Sequence, residues 1–369
     1  MHNTRKINDD IYYLGASDRR IELFENVYPV SQGMSYNSYL IMDEKTCLMD
    51  SVDESVRGQF LENLKYALNG KNLDYMVVQH MEPDHCSIVP ELSRMYPDMK
   101  LVASLQAFKM MENFYSLQTE ERRLVVKEGD TLKLGKHTLK FIAAPMVHWP
   151  EVLMTYDVTD KILFSADAFG SFGAMSGNIF VDEIDWDKDF KDEARRYYVN
   201  IVGKYGLQTQ NVLKKASTLD IQMICPLHAH IWRKDLSTII SLYDTWSKYE
   251  AEKDSVVIFY GSIYGNTQNA AEILAMQIAE NGIENVEVFD TSKTHVSFLV
   301  SKAFEYKTLV FAAATYNAEI FDTVQNLITE LKNHNLSNRR IGLIENGSWA
   351  PVAASKMKAQ LETFKNMEV

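Results

Sequence analysis

Four side chains able to bind a metal fall within six residues in the segment Tyr75-Met-Val-Val-Gln-His80-Met-Glu82-Pro-Asp84-His85. A hydrophobic run precedes them. A strand that ends there holds the turn rigid, and ligands packed into one turn converge on one point. A lone histidine is usually an ordinary core or surface residue, but this density of imidazole and carboxylate suits a first-row transition metal. Three further candidates come after strand-like runs downstream: His148 after Phe-Ile-Ala-Ala-Pro-Met-Val, Asp167 after Lys-Ile-Leu-Phe-Ser-Ala, and His228 after Met-Ile-Cys-Pro-Leu. Taken singly, His148 could cap a loop, Asp167 could begin a turn, and His228 could be an ordinary polar residue.

The second chemical feature is Gly261-Ser262-Ile263-Tyr264-Gly265-Asn266-Thr267, between an apolar run at 255–260 and a helical pattern. Hydroxyls, backbone N–H groups and a helix N-terminus make an anion site suited to one phosphate. With no Walker lysine and no G-x-G-x-x-G, triphosphates and dinucleotides fit poorly. The plain alternative is a Ser/Thr helix cap. Two later runs end in Ala314-Thr315-Tyr316-Asn317 and in Asn346-Gly347-Ser348-Trp349. Loops at these strand ends are where open α/β sheets bind ligands. Tyr316 and Trp349 can flank a planar ring there, or simply pack on the surface.

The elements that must carry these groups show two rhythms. Up to about residue 163, short strand-like runs predominate at 39–42, 46–50, 75–79, 101–104, 139–145, 152–156 and 161–167, with helical patterns at 55–69 and 87–96. One long helix is expected over 187–215 and another over 235–250. This predicts sheets sandwiched between helices. The polar stretch 247–255 reads as a linker. Beyond it, strands at 255–260, 286–290, 308–314 and 341–345 alternate with helices at 267–280, 295–304, 321–333 and 351–364, the pattern of a doubly wound parallel sheet. The expected domains are 1–250 and 254–369.

Composition narrows the partners. With 38 basic against 50 acidic residues and a net charge of −12, the chain lacks the basic surface that nucleic acid requires. No apolar run is long enough to cross a bilayer and the N-terminus has no apolar signal core, so a cytoplasmic location and no membrane partner are expected. Cys47, Cys86 and Cys225 are isolated and never form a C-x-x-C pair, which predicts buried thiols and no cysteine-built zinc or iron–sulfur site.

The ordered series His80, Glu82, Asp84, His85, His148, Asp167, His228 resembles the metallo-β-lactamase superfamily. Glu82 stands where that superfamily's zinc hydrolases carry a second histidine, which shifts preference from zinc towards iron. The C-terminal half resembles flavodoxin, implying FMN, with Ser262 to Thr267 at its phosphate and Ala314 to Asn317 and Asn346 to Trp349 around its ring. Together with H-W-P-E at 148–151, L-F-S-A-D-A-F-G at 163–170 and Y-G-N-T at 264–267, the two halves in this order resemble the flavodiiron proteins over nearly the whole chain. The resemblance implies a metallo-β-lactamase-like αββα sandwich followed by a flavodoxin-like sheet. It implies two irons, one on His80, Glu82 and His148, the other on Asp84, His85 and His228, with Asp167 between them. It further implies reduction of dioxygen to water or nitric oxide to nitrous oxide, and a head-to-tail homodimer or a tetramer of such dimers. The electron donor would be external, a rubredoxin or a flavin reductase. Asn346-Gly347-Ser348-Trp349-Ala350-Pro351 resembles oxygen-scavenging members, so dioxygen is the expected substrate. Tyr197 and Tyr198 are candidates to donate a hydrogen bond in the pocket, with packing as their other role. The rival readings are a metallo-hydrolase with a fused flavodoxin-like regulatory module, or a non-catalytic scaffold that metal and FMN merely stabilise. The flavodoxin pattern stops at four strands, with a fifth only beginning at Met367-Glu368-Val369. The chain is read as a truncated or a naturally short form whose last strand and helix are missing.

Overall fold

The computed structural model describes residues 1–117 and 119–369. Contacts divide them into two compact units, Met1–Ala194 with Gln208–Ile240, and Arg195–Leu207 with Ser241–Val369.

The first unit is built on a seven-stranded and a five-stranded sheet. Its strands are short, and alternate residues point into one shared core. Tyr39 and Ile41, Cys47 and Met49, Leu139 and Phe141, and Ile162 and Phe164 all reach it by this period of two. Cys47, Cys86 and Cys225 are free and buried, as expected. Parallel pairing of Cys47–Met49 with Tyr75–Val77, and of Tyr75–Val77 with Lys100–Ala103, fixes the strand that delivers His80. In the other sheet Ile162–Phe164 pairs in parallel with Met223–Cys225, so the turns carrying Asp167 and His228 leave the same end.

The second unit carries four parallel strands in the spatial order Glu287–Asp290, Lys253–Gly261, Tyr306–Tyr316, Arg340–Asn346. This is a doubly wound order whose switch point lies between Lys253–Gly261 and Tyr306–Tyr316. A short antiparallel strand, Glu319–Ile320, folds back on Tyr306–Tyr316. At the edge, Glu368 bridges to Arg340 in parallel, so the expected beginning of a fifth strand is present.

One expectation is corrected. The single helix over 187–215 is broken into Trp186–Asp189, Lys191–Tyr197, a π-helical stretch Tyr198–Val202, a 3-10 turn Gly203–Tyr205, and Gly206–Ala216. Where the last segment begins, a Cβ on Gly206 would lie 2.4 Å from the Ser247 carbonyl oxygen, so this close approach requires glycine. Tyr249 Oη donates to the Gly203 carbonyl at 3.0 Å and accepts from Gly206 N at 3.3 Å. The stretch 247–255 is likewise anchored. Trp246 Nε1 donates to Glu252 at 2.6 Å, Arg195 pairs with the same carboxylate, and Lys253 already lies in a strand.

Candidate dinuclear metal and flavin sites

The strand Tyr75–Val77 ends just before His80, and Glu82 begins a one-turn helix, Pro83–Cys86, that carries Asp84 and His85. Proline at the first helical position suits this start. His148 lies in the turn between Thr138–Ala143 and Leu153–Asp157. Asp167 comes after Ile162–Phe164, and His228 after Met223–Cys225. The residues beside them are bent into left-handed backbone although none is glycine: Met146 has φ 64°, Ala166 φ 50° and Ala229 φ 60°.

All seven side chains are buried and converge in two groups. In the first, His80 Nε2 lies 3.2 Å from Glu82 Oε2, 3.3 Å from His148 Nε2 and 3.3 Å from Asp167 Oδ2. His148 Nε2 is 3.0 Å from both Glu82 Oε2 and Asp167 Oδ2. In the second, His85 Nε2 lies 3.1 Å from His228 Nε2, 3.3 Å from Asp84 Oδ2 and 3.0 Å from Asp167 Oδ1.

These distances test the fit to metal. Two ligands about 2.1 Å from one ion and at right angles to each other are about 3.0 Å apart. The observed separations are thus ligand edges, and imidazole nitrogens facing each other are hard to explain as hydrogen bonds alone. Both Asp84 oxygens are buried without a hydrogen-bond partner among the described residues. A buried carboxylate in that position calls for a cation. Nitrogen and oxygen donors without sulfur suit iron or a similar ion.

Electrostatics agree. Burial and repulsion by Glu82 and Asp167 push the Asp84 pKa up to about 8. Burial disfavours charge on His148, but Asp167 and Glu82 outweigh it and hold that ring at about 9. Asp167 is held well below the carboxylate range, against burial, by His85, His80 and His148. Acids and bases driven this far apart in one dry pocket mark a functional site. A cavity of about 590 Å³ opens beside it, lined by Phe24, Glu25, Tyr36, Glu82 and Asp84 among others.

Sequence reasoning missed the groups behind the ligands. Glu151 receives His80 Nδ1 at 2.8 Å. His228 Nδ1 donates to the Ser35 carbonyl at 2.8 Å. Asp50 accepts from Gln79 N at 2.7 Å and from its side-chain amide at 2.9 Å, bracing the residue before His80. Only Glu151 left a trace, as the last letter of H-W-P-E; the Ser35 carbonyl is backbone and has no signature. Tyr197 and Tyr198 are not among the groups that converge. Both are buried, and Tyr198 stacks obliquely on Trp246 and edge-on to Tyr243, centroids 5.3 and 4.8 Å apart.

In the second unit Gly265, with φ 89°, turns the chain into the helix Asn266–Glu280, and Ser262 Oγ accepts from Gly265 N at 3.0 Å. The first N–H groups of that helix have no intrahelical acceptor and face the loop. Thr267 Oγ1 accepts from Asn346 Nδ2 at 3.4 Å, which brings the first and third loops together. In the second loop, the Thr315 hydroxyl accepts from Val352 N at 3.0 Å and Ala353 N at 3.2 Å, which ties that loop to the start of the last helix. Around these loops Tyr264 is 93% exposed, Trp349 83% and Tyr316 43%. Three uncovered rings at the switch point fit a planar cofactor whose phosphate lies at the helix start.

The family model described as ODP family beta lactamase matches residues 34–229, and the flavodoxin model matches 258–364. The chain is 30% identical over 361 residues to the anaerobic nitric oxide reductase flavorubredoxin of Escherichia coli, covering 96% of this chain and 74% of that protein. It belongs to the flavodiiron proteins. Among solved structures, the rubredoxin:oxygen oxidoreductase of Desulfovibrio gigas matches with 28% identity and a TM-score of 0.91 over 99% of this chain and 91% of its own. The flavodiiron protein of Giardia intestinalis gives 26% and 0.90, with the same coverage. The chain is therefore an oxidoreductase of the flavodiiron type, a family that pairs a di-iron centre with a flavodoxin domain and its FMN.

Proposed function

We propose that this flavodiiron protein reduces dioxygen to water, with nitric oxide reduction to nitrous oxide as the second activity of the same site. The observation that carries the reading is Asp167, which turns one oxygen to each ligand trio. His80, Glu82 and His148 hold one iron, Asp84, His85 and His228 the other, and Asp167 spans both. Ser262 to Thr267 take the FMN phosphate, while Ala314 to Asn317 and Asn346 to Trp349 border its ring. When bound, two ferrous ions and one fully reduced FMN together supply four electrons, the number needed to take O2 and four protons to two waters.

The chain's own residues do the rest. Burial of all seven ligands limits their contact with water, which strengthens the electrostatic contacts among them. The cavity at Phe24 and Tyr36 admits a diatomic gas without any polar recognition group being required. Tyr197 and Tyr198 serve packing in this reading, as the stacking of Tyr198 on Tyr243 and Trp246 supports. Electrons reach the flavin from a rubredoxin or a flavin reductase, since the three isolated cysteines of this sequence build no iron–sulfur or rubredoxin-type centre. The protein works in the cytoplasm as a head-to-tail homodimer, singly or paired into tetramers, built from domains 1–250 and 254–369. No helix among the described residues is long and apolar enough to cross a membrane.

The relationship to a protein named as a nitric oxide reductase favours nitric oxide as the alternative main substrate. One experiment decides: anaerobic reduction through a rubredoxin system, then turnover on each gas. Sustained oxygen consumption to water with little peroxide supports the first reading. Faster nitric oxide turnover reverses the order, and hydrolytic activity with zinc in place of iron defeats both.

A further inference from the structure

Three imidazoles at the site show how their far nitrogens are held, and they differ. His80 Nδ1 faces the carboxylate of Glu151 at 2.8 Å. His228 Nδ1 faces a neutral carbonyl, that of Ser35. His85 Nδ1 is buried without a hydrogen-bond partner among the described residues. A carboxylate only accepts, so Nδ1 of His80 carries the hydrogen and Nε2 keeps its lone pair for the site.

Glu151 is placed with care for this task. Its Oε1 also accepts from Met81 N at 2.9 Å, so one oxygen clamps both the ring and the backbone of the ligand turn. Ser104 Oγ donates to the Glu151 carbonyl at 3.0 Å, fixing the turn from below. The Trp149 ring stands edge-on to His80, centroids 5.2 Å apart, and blocks the ring's rotation. Glu151 is fully buried, yet its Oε2 has no hydrogen-bond partner among the described residues. An ionised carboxylate left so bare is costly unless positive charge lies nearby. A cation on the opposite nitrogen of His80 provides that charge.

We infer that Glu151 is a positioning residue that makes the two metal positions unequal. By orienting His80 and increasing its donor strength, it tightens the ion held by His80, Glu82 and His148 and stabilises its ferric state. At the ion held by Asp84, His85 and His228, the far nitrogen of His228 meets a neutral carbonyl and that of His85 has no hydrogen-bond partner among the described residues. Asp50 acts on His85 only across space, so that ion is the weaker bound and the more readily reduced. The inference rests on the di-iron reading for the identity of the metal, and on nothing in the turnover.

The test uses the full chain loaded with FMN and iron-57, in wild type, Glu151→Gln and Glu151→Ala. Glutamine keeps an oxygen for His80 and Met81 and removes only the charge. In Glu151→Gln, the affinity of one of the two ferrous ions should fall 10- to 100-fold. A chelator should remove that ion first, one Mössbauer doublet should shift, and flavin content should stay constant. Alanine should weaken the same ion further. Equal weakening of both ions, or affinities and spectra unchanged in both variants, overturns the proposal. So does a Glu151→Gln protein that misfolds before metal is added, since Glu151 would then be a structural residue. Wild-type protein that binds two irons yet consumes neither gas defeats the functional reading instead, and the titration still decides the role of Glu151.

Discussion

Asp167 presents Oδ1 to His85 Nε2 at 3.0 Å while its other oxygen faces His80 and His148. The distance links two ligand groups that arise 82 residues apart in the chain (167 less 85). One side chain thereby touches both ligand groups.

Asp167→Ala should therefore strip the site of both irons, because each trio loses a ligand. FMN content and the flavin absorption spectrum should be unchanged, since the flavin loops belong to the other unit. Iron analysis beside the visible spectrum checks this, and full retention of two irons would refute the bridging role.

Trp349→Ala should weaken FMN binding. The ring is 83% exposed and free to stack on a planar ligand. Loss of such a contact is worth about 0.5–1.5 kcal/mol, or roughly 2- to 10-fold in affinity. Fluorescence titration of flavin-free protein measures it, and unchanged affinity would place the ring elsewhere.

His137 offers a pH-dependent prediction away from both sites. Burial disfavours charge on its ring, but Asp157 at 2.7 Å and Asp10 at 3.3 Å outweigh it and raise the pKa above its ordinary value. A raised folded-state pKa stabilises fully below the unfolded value of about 6.5, and the benefit disappears as pH climbs through the raised value. His137→Ala should cost about 3 kcal/mol near pH 6 by leaving the buried Asp157 carboxylate without its charged partner, with only Thr159 N still bonded to it. The gap from wild type should narrow in alkali, as denaturant melts at both pH values will show. A gap that widens with pH contradicts the assignment.

The electron supply gives a fourth test. NADH alone should reduce bound FMN slowly, and addition of a rubredoxin with its reductase should make reduction fast. Rapid stoichiometric reduction by NADH without a second protein rules out this scheme.

Much of this was legible in the sequence because the chemistry sits at the ends of apolar strands. The runs before His80, Asp167 and His228 are recognisable as strands, and a residue just past the end of a rigid strand is held in place. The strand–helix alternation after residue 255 was equally plain. Less visible was whatever depends on backbone passing backbone. The close approach of Gly206 to the Ser247 carbonyl joins residues 41 apart (247 less 206), and no periodicity records it. Tyr198 finds Tyr243 and Trp246 across 45 to 48 residues, and nothing near Tyr198 in sequence announces them. The Thr315 hydroxyl caps a helix that starts 38 residues further on, which nothing near it in sequence announces.

The left-handed backbone at Met146, Ala166 and Ala229 carries a further consequence. Non-glycine residues in that region each cost on the order of 1–3 kcal/mol and persist only where their surroundings hold them. On the proposed ligand assignment, ions on His148, Asp167 and His228 would tie down three turns that local energetics would release. Iron loading and heat resistance are thereby coupled, and the domain's first thermal loosening belongs at the turns that carry its chemistry.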